Sequence, residues 1–262
     1  MVDWERSPGF DLSGKRGLVI GCANPVGHAV AVALAEAGAD VAVASATMDG
    51  DEVMAAKRAS KAVANLGRAT LSHGWDVTLP TNVQIGFRQV AKDFGVPSIV
   101  VFNGDAVLAR PIAQTTDAEF ARVQQVNQNG AFYTTRSFLR ERDQSVPGRL
   151  LYITSVFGER GVPGLGAYGS AKAGVVGLMA AVSQEAGGIG VTANCISTGW
   201  MNWTPDRGPD EPGQNLLLRF IPMRQFGSAN QLGALAVLLA SDASGYINGQ
   251  VLHVDGGVTT HL

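Results

Sequence analysis

The segment 149–172, RLLYITSVFGERGVPGLGAYGSAK, carries a serine, a tyrosine and a lysine whose types and spacing suit proton transfer at a carbonyl oxygen. The apolar, β-prone run 150–153 stops at Thr154-Ser155, as a buried parallel strand ending at a site would. Tyr168 and Lys172 are four apart in an Ala/Gly/Ser stretch that continues as an apolar helix, so both side chains project from one face. A free tyrosine titrates near pH ~10, and each unit of downward shift takes about 1.4 kcal/mol of differential stabilisation of the phenolate. A neighbouring ammonium supplies part of it. A tyrosine brought toward neutral pH can pass a proton to or from a substrate oxygen while the serine hydroxyl hydrogen-bonds that oxygen, which is what hydride transfer to a carbonyl needs. Tyr-x-x-x-Lys also arises by chance in many helices, so the weight of the pair depends on what the rest of the chain places around it.

The flanking sequence reads as strands alternating with helices. Residues 15–20 form a strand, and from Gly27 the run HAVAVALAEAGA keeps the i, i+3, i+4, i+7, i+8 spacing of a buried helical face. Between them GCANPVG, with Gly21, Asn24, Val26 and Gly27, is a glycine turn into a helix N-terminus, which can hold a pyrophosphate or can be no more than a tight βα turn. The second strand, 40–45, ends at Ser45-Ala46-Thr47, where a dinucleotide fold senses the adenosine ribose. Hydroxyls at Ser45 and Thr47 and no carboxylate permit NADP as well as NAD, with a slight preference for NADP although no arginine follows directly to select its phosphate; Lys57 and Arg58 read as a solvated helix face. Asp76 and Val77 end a weaker third strand, where a carboxylate can receive the adenine amino group. A fourth strand, 97–102, closes on Asn103-Gly104. Asn127 lies inside an otherwise helical run, 117–140, where its propensity is poor; a helix interrupted there would let it hold a water beside Lys172.

A sixth strand, 191–196, precedes a Pro/Gly-rich stretch rich in Trp and Leu, of which 200–222 reads as a substrate lid closing on an apolar or ring-shaped alcohol or ketone. A packed surface excursion or a subunit contact is the competing reading. A helix at 231–241 and a strand at 249–255 complete the chain. The expected architecture is a doubly wound α/β fold with a parallel sheet in a single domain, 1–262, binding ligands outside the strands' carboxyl ends. Ser155, Asn103, Gly21, Ser45 and Gly199 all fall at such ends.

Composition narrows the function classes. A formal net charge of -2 with 46% hydrophobic residues gives no bias toward nucleic acid or anionic membrane. Cys22 and Cys195 lack partners at metal-ligand spacing, so no metal is expected and both read as reduced core thiols. With no apolar leader and no membrane-length window, the expected location is the cytoplasm.

With these residues placed, the chain resembles the short-chain dehydrogenase/reductase family in its standard short form, over about residues 12–258. The resemblance rests on Gly21 and Gly27, Asp76-Val77, Asn103-Gly104, Asn127 with Gly130, Ser155, Tyr168-Gly-Ser-Ala-Lys172, Asn194 with Gly199, and the tail SDASGYINGQVLHVDGG. It implies Tyr168 as general acid/base, Ser155 as orienting hydroxyl, Lys172 as the group that lowers the tyrosine pKa and binds the nicotinamide ribose, and Asn127 as anchor of a proton-relay water. It implies cofactor contacts at Gly199 and Met201 besides those named above, strand order 3-2-1-4-5-6-7, and a homotetramer. The chain departs from the family at Pro25, which replaces a glycine and removes an N–H from the pyrophosphate cradle. It departs again at Phe102-Asn103-Gly104-Asp105, which keeps one asparagine of an Asn-Asn-Ala-Gly pattern, and at Thr198 and Trp203. The leading expectation is an NAD(P)-dependent oxidoreductase interconverting a secondary alcohol and a ketone. The alternatives are a 3-oxoacyl thioester reductase, which needs a basic entrance from residues such as Arg110, Arg160 and Arg224, and a non-catalytic dinucleotide-binding scaffold.

Overall fold

The computed structural model describes residues 9–203 and 217–260. Seven strands form one parallel sheet: β1 (Arg16–Ile20), β2 (Asp40–Ala44), β3 (Thr70–His73), β4 (Ile99–Phe102), β5 (Gly148–Ser155), β6 (Val191–Thr198) and β7 (Val251–Val254). Their order is β3-β2-β1-β4-β5-β6-β7, the order the family resemblance implies. Each crossover carries a helix: α1 (Pro25–Glu36), α2 (Gly50–Asn65), α3 (Pro80–Asp93), α4 (Asp117–Gln124) running into α5 (Gly130–Glu141), α6 (Gly166–Gly187) and α7 (Ala229–Ala240).

The two-residue period of the strands sorts the core into two layers. Val19, Val41, Val43, Val101, Leu151 and Ile153 face α1, α2 and α7. Leu18, Ile20, Val100, Phe102, Leu150 and Tyr152 face α3, α5 and α6. Both faces of the sheet are covered, which is why the strands are almost unbroken apolar runs. The small residues of α1 have a packing role, since a Cβ on Gly233 of α7 would lie 2.7 Å from the Ala33 Cβ.

Strand order reverses between β1 and β4, and the Asn103 amide donates to the Ile20 carbonyl across that boundary at 2.7 Å. The loops after these two strands diverge there and open the crevice where such folds bind ligands. Gly21 turns at φ 101°, with a hypothetical Cβ 2.1 Å from the Asn103 carbonyl oxygen. Asn24 then caps α1 by accepting the Val26 amide at 2.9 Å, and Pro25 takes the first helical position. A missing N–H is harmless at that position, because the first turn has no intrahelical acceptor for it. The lid expected over 200–222 falls partly on 204–216, outside the described residues. Its flanks are anchored, with Met201 bridged to Gly227 and the Met223 amide donating to the Gly256 carbonyl at 3.2 Å. Among the described residues no helix is long and apolar enough to cross a membrane.

Candidate active site

Ser155, Tyr168 and Lys172 converge at the carboxyl end of β5. The Ser155 hydroxyl donates to the Thr198 carbonyl at 3.3 Å, and its oxygen accepts the Phe157 amide at 3.3 Å as the chain leaves the strand. Lys172, one helical turn beyond Tyr168, holds its Nζ 5.4 Å from the centre of the tyrosine ring and donates to the carbonyls of Gly104 (2.8 Å) and Ile153 (3.2 Å). Burial lowers the lysine pKa, and the Asp105 carboxylate, 3.5 Å away, opposes that shift.

Asn127 lies in a π-helical segment, Gln125–Asn129, which supplies the interruption expected in this helix. Such wide turns recur at functional sites. Its Nδ2 donates to the carbonyls of Ala106 (2.8 Å) and Val123 (2.9 Å), while its buried Oδ1 has no partner. A buried acceptor left unpaired costs about 1–3 kcal/mol, so this oxygen marks a place for an ordered water.

Asp105 is a residue of this site that sequence reasoning missed. Its Oδ1 accepts the Tyr168 hydroxyl at 2.7 Å and its Oδ2 accepts Asn24 Nδ2 at 2.7 Å. Burial first, and then this carboxylate, push the Tyr168 pKa well above the ordinary value; the neighbouring Ser155 hydroxyl pulls the other way. The sequence predicts a tyrosine acidified by its lysine, but the ammonium lies over the ring and the charge nearest the hydroxyl is negative. The free chain therefore holds a protonated phenol. The available signal was the aspartate three residues past the last residue of β4, in a loop that must border the crevice.

Two cavities meet at this point. The smaller, about 380 Å³, is bounded by Ser155, Tyr168 and Lys172 and walled by apolar side chains such as Phe157 and Trp200, whose rings meet edge-on with centres 4.9 Å apart. Val26, Gly199 and Met201 also line it. The larger, about 680 Å³, runs from the glycine turn along the end of β2 and includes Asn24 and Thr47. Asn24 and Asp105 border both. Other expected contacts stand behind these walls. Gly27 permits the turn to close, since its Cβ would lie 2.1 Å from the Gly21 carbonyl oxygen. Asn103 is buried and donates to the Gly21 carbonyl and to Asn24 Oδ1, both at 3.1 Å, and Gly104 offers its carbonyl to Lys172. Ser45 is fully buried, its hydroxyl bonded to the Trp75 backbone. Val77 lies in the core, and Asp76 turns Oδ1 onto the Thr78 amide (3.0 Å) and hydroxyl (2.6 Å).

Sequence reasoning also missed Glu52. Although it belongs to the first turn of α2, its buried carboxylate folds back to the end of β2, where Oε1 accepts the amides of Cys22 (3.0 Å) and Ala46 (2.8 Å). Oε2 accepts the Thr47 amide (3.0 Å) and hydroxyl (2.6 Å). A carboxylate absent from the strand end in sequence is thus present there in space.

The family described as enoyl-(acyl carrier protein) reductase matches residues 21–259. The chain is 31% identical over 252 residues, 95% of its length and 97% of the other's, to a 2-dehydro-3-deoxy-D-gluconate 5-dehydrogenase of Pseudoalteromonas atlantica. A short-chain type dehydrogenase/reductase from Mycobacterium marinum has a similar structure, with a TM-score of 0.85 at 31% identity over 96% of this chain and 98% of that one. The chain belongs to the short-chain dehydrogenase/reductase family. Another solved member, a gluconate 5-dehydrogenase from Burkholderia cenocepacia in complex with NADP and tartrate, has a TM-score of 0.88 at 26% identity over 97% of this chain and 98% of that one. The protein is accordingly an NAD(P)-dependent oxidoreductase.

The residues of this short-chain dehydrogenase/reductase fit a dinucleotide along the larger cavity, which joins the glycine turn to Asp105 beside Tyr168. The cradle is sparer than most glycine turns. Pro25 has no N–H, the Cys22 amide is held by Glu52 and the Val26 amide by Asn24.

Proposed function

We propose that this short-chain dehydrogenase/reductase interconverts an apolar or cyclic secondary alcohol and its ketone. The carrying observation is that Ser155 and Tyr168 together line a cavity walled by Phe157, Val162, Leu165, Trp200 and Trp203. Among the described residues Lys172 is the only basic group of that cavity, and it is engaged by two carbonyls, so a sugar acid or thioester phosphate has little there to hold it. Arg110 pairs with Glu119 at 3.0 Å, Arg160 donates to the Thr259 carbonyl, and Arg224 donates to the carbonyls of Leu218 and Arg219. The basic entrance a carrier-bound thioester needs is therefore not favoured.

A bound nicotinamide dinucleotide supplies or accepts the hydride. Ser155 orients the substrate oxygen, Tyr168 exchanges a proton with it, and Lys172 holds the adjoining backbone and the charge balance around the phenol. Asn127 Oδ1 offers the acceptor for a fixed water. A ketone panel tests this reading, with cyclic and aryl ketones expected to turn over fastest. Trp200→Ala is expected to raise KM for them about tenfold, a loss of about 1.4 kcal/mol of contact, with kcat nearly unchanged. Faster turnover of a gluconate or a 3-oxoacyl thioester than of any apolar ketone would overturn it.

For the cofactor, Glu52 supports NAD over NADP. The two hydroxyls from which the sequence favours NADP are turned inward, and a buried anion already holds the Ala46 and Thr47 amides that a 2′-phosphate would seek. Arg58 on the cavity wall is the counterweight. The dissociation constant for NADH is expected to be at least about tenfold below that for NADPH, and Glu52→Gln to narrow the gap by removing the repelling charge. Tighter NADPH binding by the unmodified chain would reverse this assignment.

A further inference from the structure

We propose that Asp105 is the terminal proton acceptor for alcohol oxidation: as Tyr168 takes the proton of the substrate hydroxyl, its own phenolic proton passes to Asp105. This rests on the reading of Tyr168 as the acid/base group.

The geometry carries it in three steps. The Tyr168 hydroxyl is 2.7 Å from Oδ1 with the phenol as donor, so the proton already points at the carboxylate. Tyr168 itself is only 7% exposed, whereas Asp105 borders both the cavity that contains Tyr168 and the wider one leading from the glycine turn. The carboxylate is also held in place, Oδ2 by Asn24 at 2.7 Å and Oδ1 by Lys172 at 3.5 Å. Lys172 is less suited to carry the proton, because it is pinned to the carbonyls of Gly104 and Ile153 as well as to Asp105.

The charged and titratable groups lining the two cavities that Asp105 borders are Tyr168 and Lys172 from α6, Arg122 from α4, His28 from α1, Cys22 from the glycine turn, Asp49 just before α2, and Asp51, Glu52 and Arg58 from α2. Lys172 is the only cation among them within ion-pair distance, 3.5 Å from Oδ1.

The step balances. The substrate O–H bond breaks as an O–H bond forms on Tyr168, the former phenolic O–H breaks as one forms on Asp105 Oδ1, and the C–H electron pair leaves as hydride to the oxidised nicotinamide dinucleotide. Asp105 then releases its proton to water, and ketone reduction runs the same transfers backward. The arrangement removes a difficulty raised by the buried phenol: Tyr168 need never exist as a free phenolate.

The test has an arm without cofactor. Ultraviolet titration of the free chain, with Tyr168→Phe subtracted to isolate this ring, is expected to show Tyr168 ionising at distinctly lower pH in Asp105→Asn than in the unmodified chain. In alcohol oxidation at neutral pH, Asp105→Asn should lose about 10²-fold in kcat and regain much of it at alkaline pH, where the phenol can ionise unaided. Asp105→Gly should show the same loss, with added formate restoring activity by entering the vacated space. Fluorescence titration with NADH verifies that the variants are folded. Asp105 variants within about twofold of the unmodified kcat and with an unchanged pH profile would overturn the relay. If Tyr168→Phe retained turnover, the acid/base reading beneath it would fail instead.

Discussion

Tyr168→Phe is expected to lower kcat about 10³-fold in both directions while leaving dinucleotide affinity within about threefold of the unmodified chain. The substitution removes one oxygen and keeps the ring that packs with Val156, Phe157 and Ala171. What disappears is the hydroxyl that lines the cavity beside Ser155 and donates to Asp105. Among the described residues Ser155 is hydrogen-bonded to backbone groups, the Thr198 carbonyl and the Phe157 amide, so no substitute acid or base stands at the same point. The remaining activity reflects orientation alone, since Ser155 can still hydrogen-bond the substrate oxygen. Structural cost stays small because Asp105 keeps Asn24 and Lys172, and about 1 kcal/mol of stability is the expected loss. Steady-state turnover with a ketone, alongside a fluorescence titration with NADH, separates the two effects. A variant with kcat within about tenfold of the unmodified chain would show that the proton travels by another route.

The second large effect belongs to the fold. Gly27→Ala is expected to destabilise the protein by about 3 kcal/mol and to abolish dinucleotide binding even where the chain still folds. The new Cβ would lie 2.1 Å from the Gly21 carbonyl oxygen and 3.0 Å from the Cys22 sulfur. Neither can retreat cheaply. The Gly21 carbonyl accepts Asn103 Nδ2 at 3.1 Å, and the Gly21 amide donates to the Ala44 carbonyl at 2.8 Å. Cys22 is buried, with its amide on Glu52. Relief would pull apart the loops after β1, β2 and β4, the same loops that bound the larger cavity. Gly50→Ala is the matched control, because a Cβ at that exposed first position of α2 meets nothing within 4 Å and is expected to be neutral or slightly stabilising. Urea unfolding of the two variants measures the contrast. Equal midpoints would mean that the turn has slack.

The sequence by itself determined the alternation of strands and helices, because apolar periods of 2 and 3.6 are local properties that survive without knowledge of any partner. For the same reason it brought Ser155 to a strand end and put Tyr168 and Lys172 on one helical face, and the family resemblance added the strand order. Pro25 takes the first helical position, where the helix itself needs no N–H, and the N–H it withholds is missing from the glycine turn, as the sequence implied. Only the tertiary structure decided which charge each polar group meets. Asp105 and Tyr168 are 63 residues apart, and Glu52 and Cys22 are 30 apart; they meet because the sheet sets β4 beside β5 and β2 beside β1. Ser45 shows the same limit from the other side, its hydroxyl turned toward the Trp75 backbone and away from the cavity. Hydrogen-bond partners of buried polar groups depend on contacts between distant elements, and electrostatic shifts follow those contacts, so the protonation of the candidate acid/base group and the charge at the adenosine end of the cleft became legible only in three dimensions.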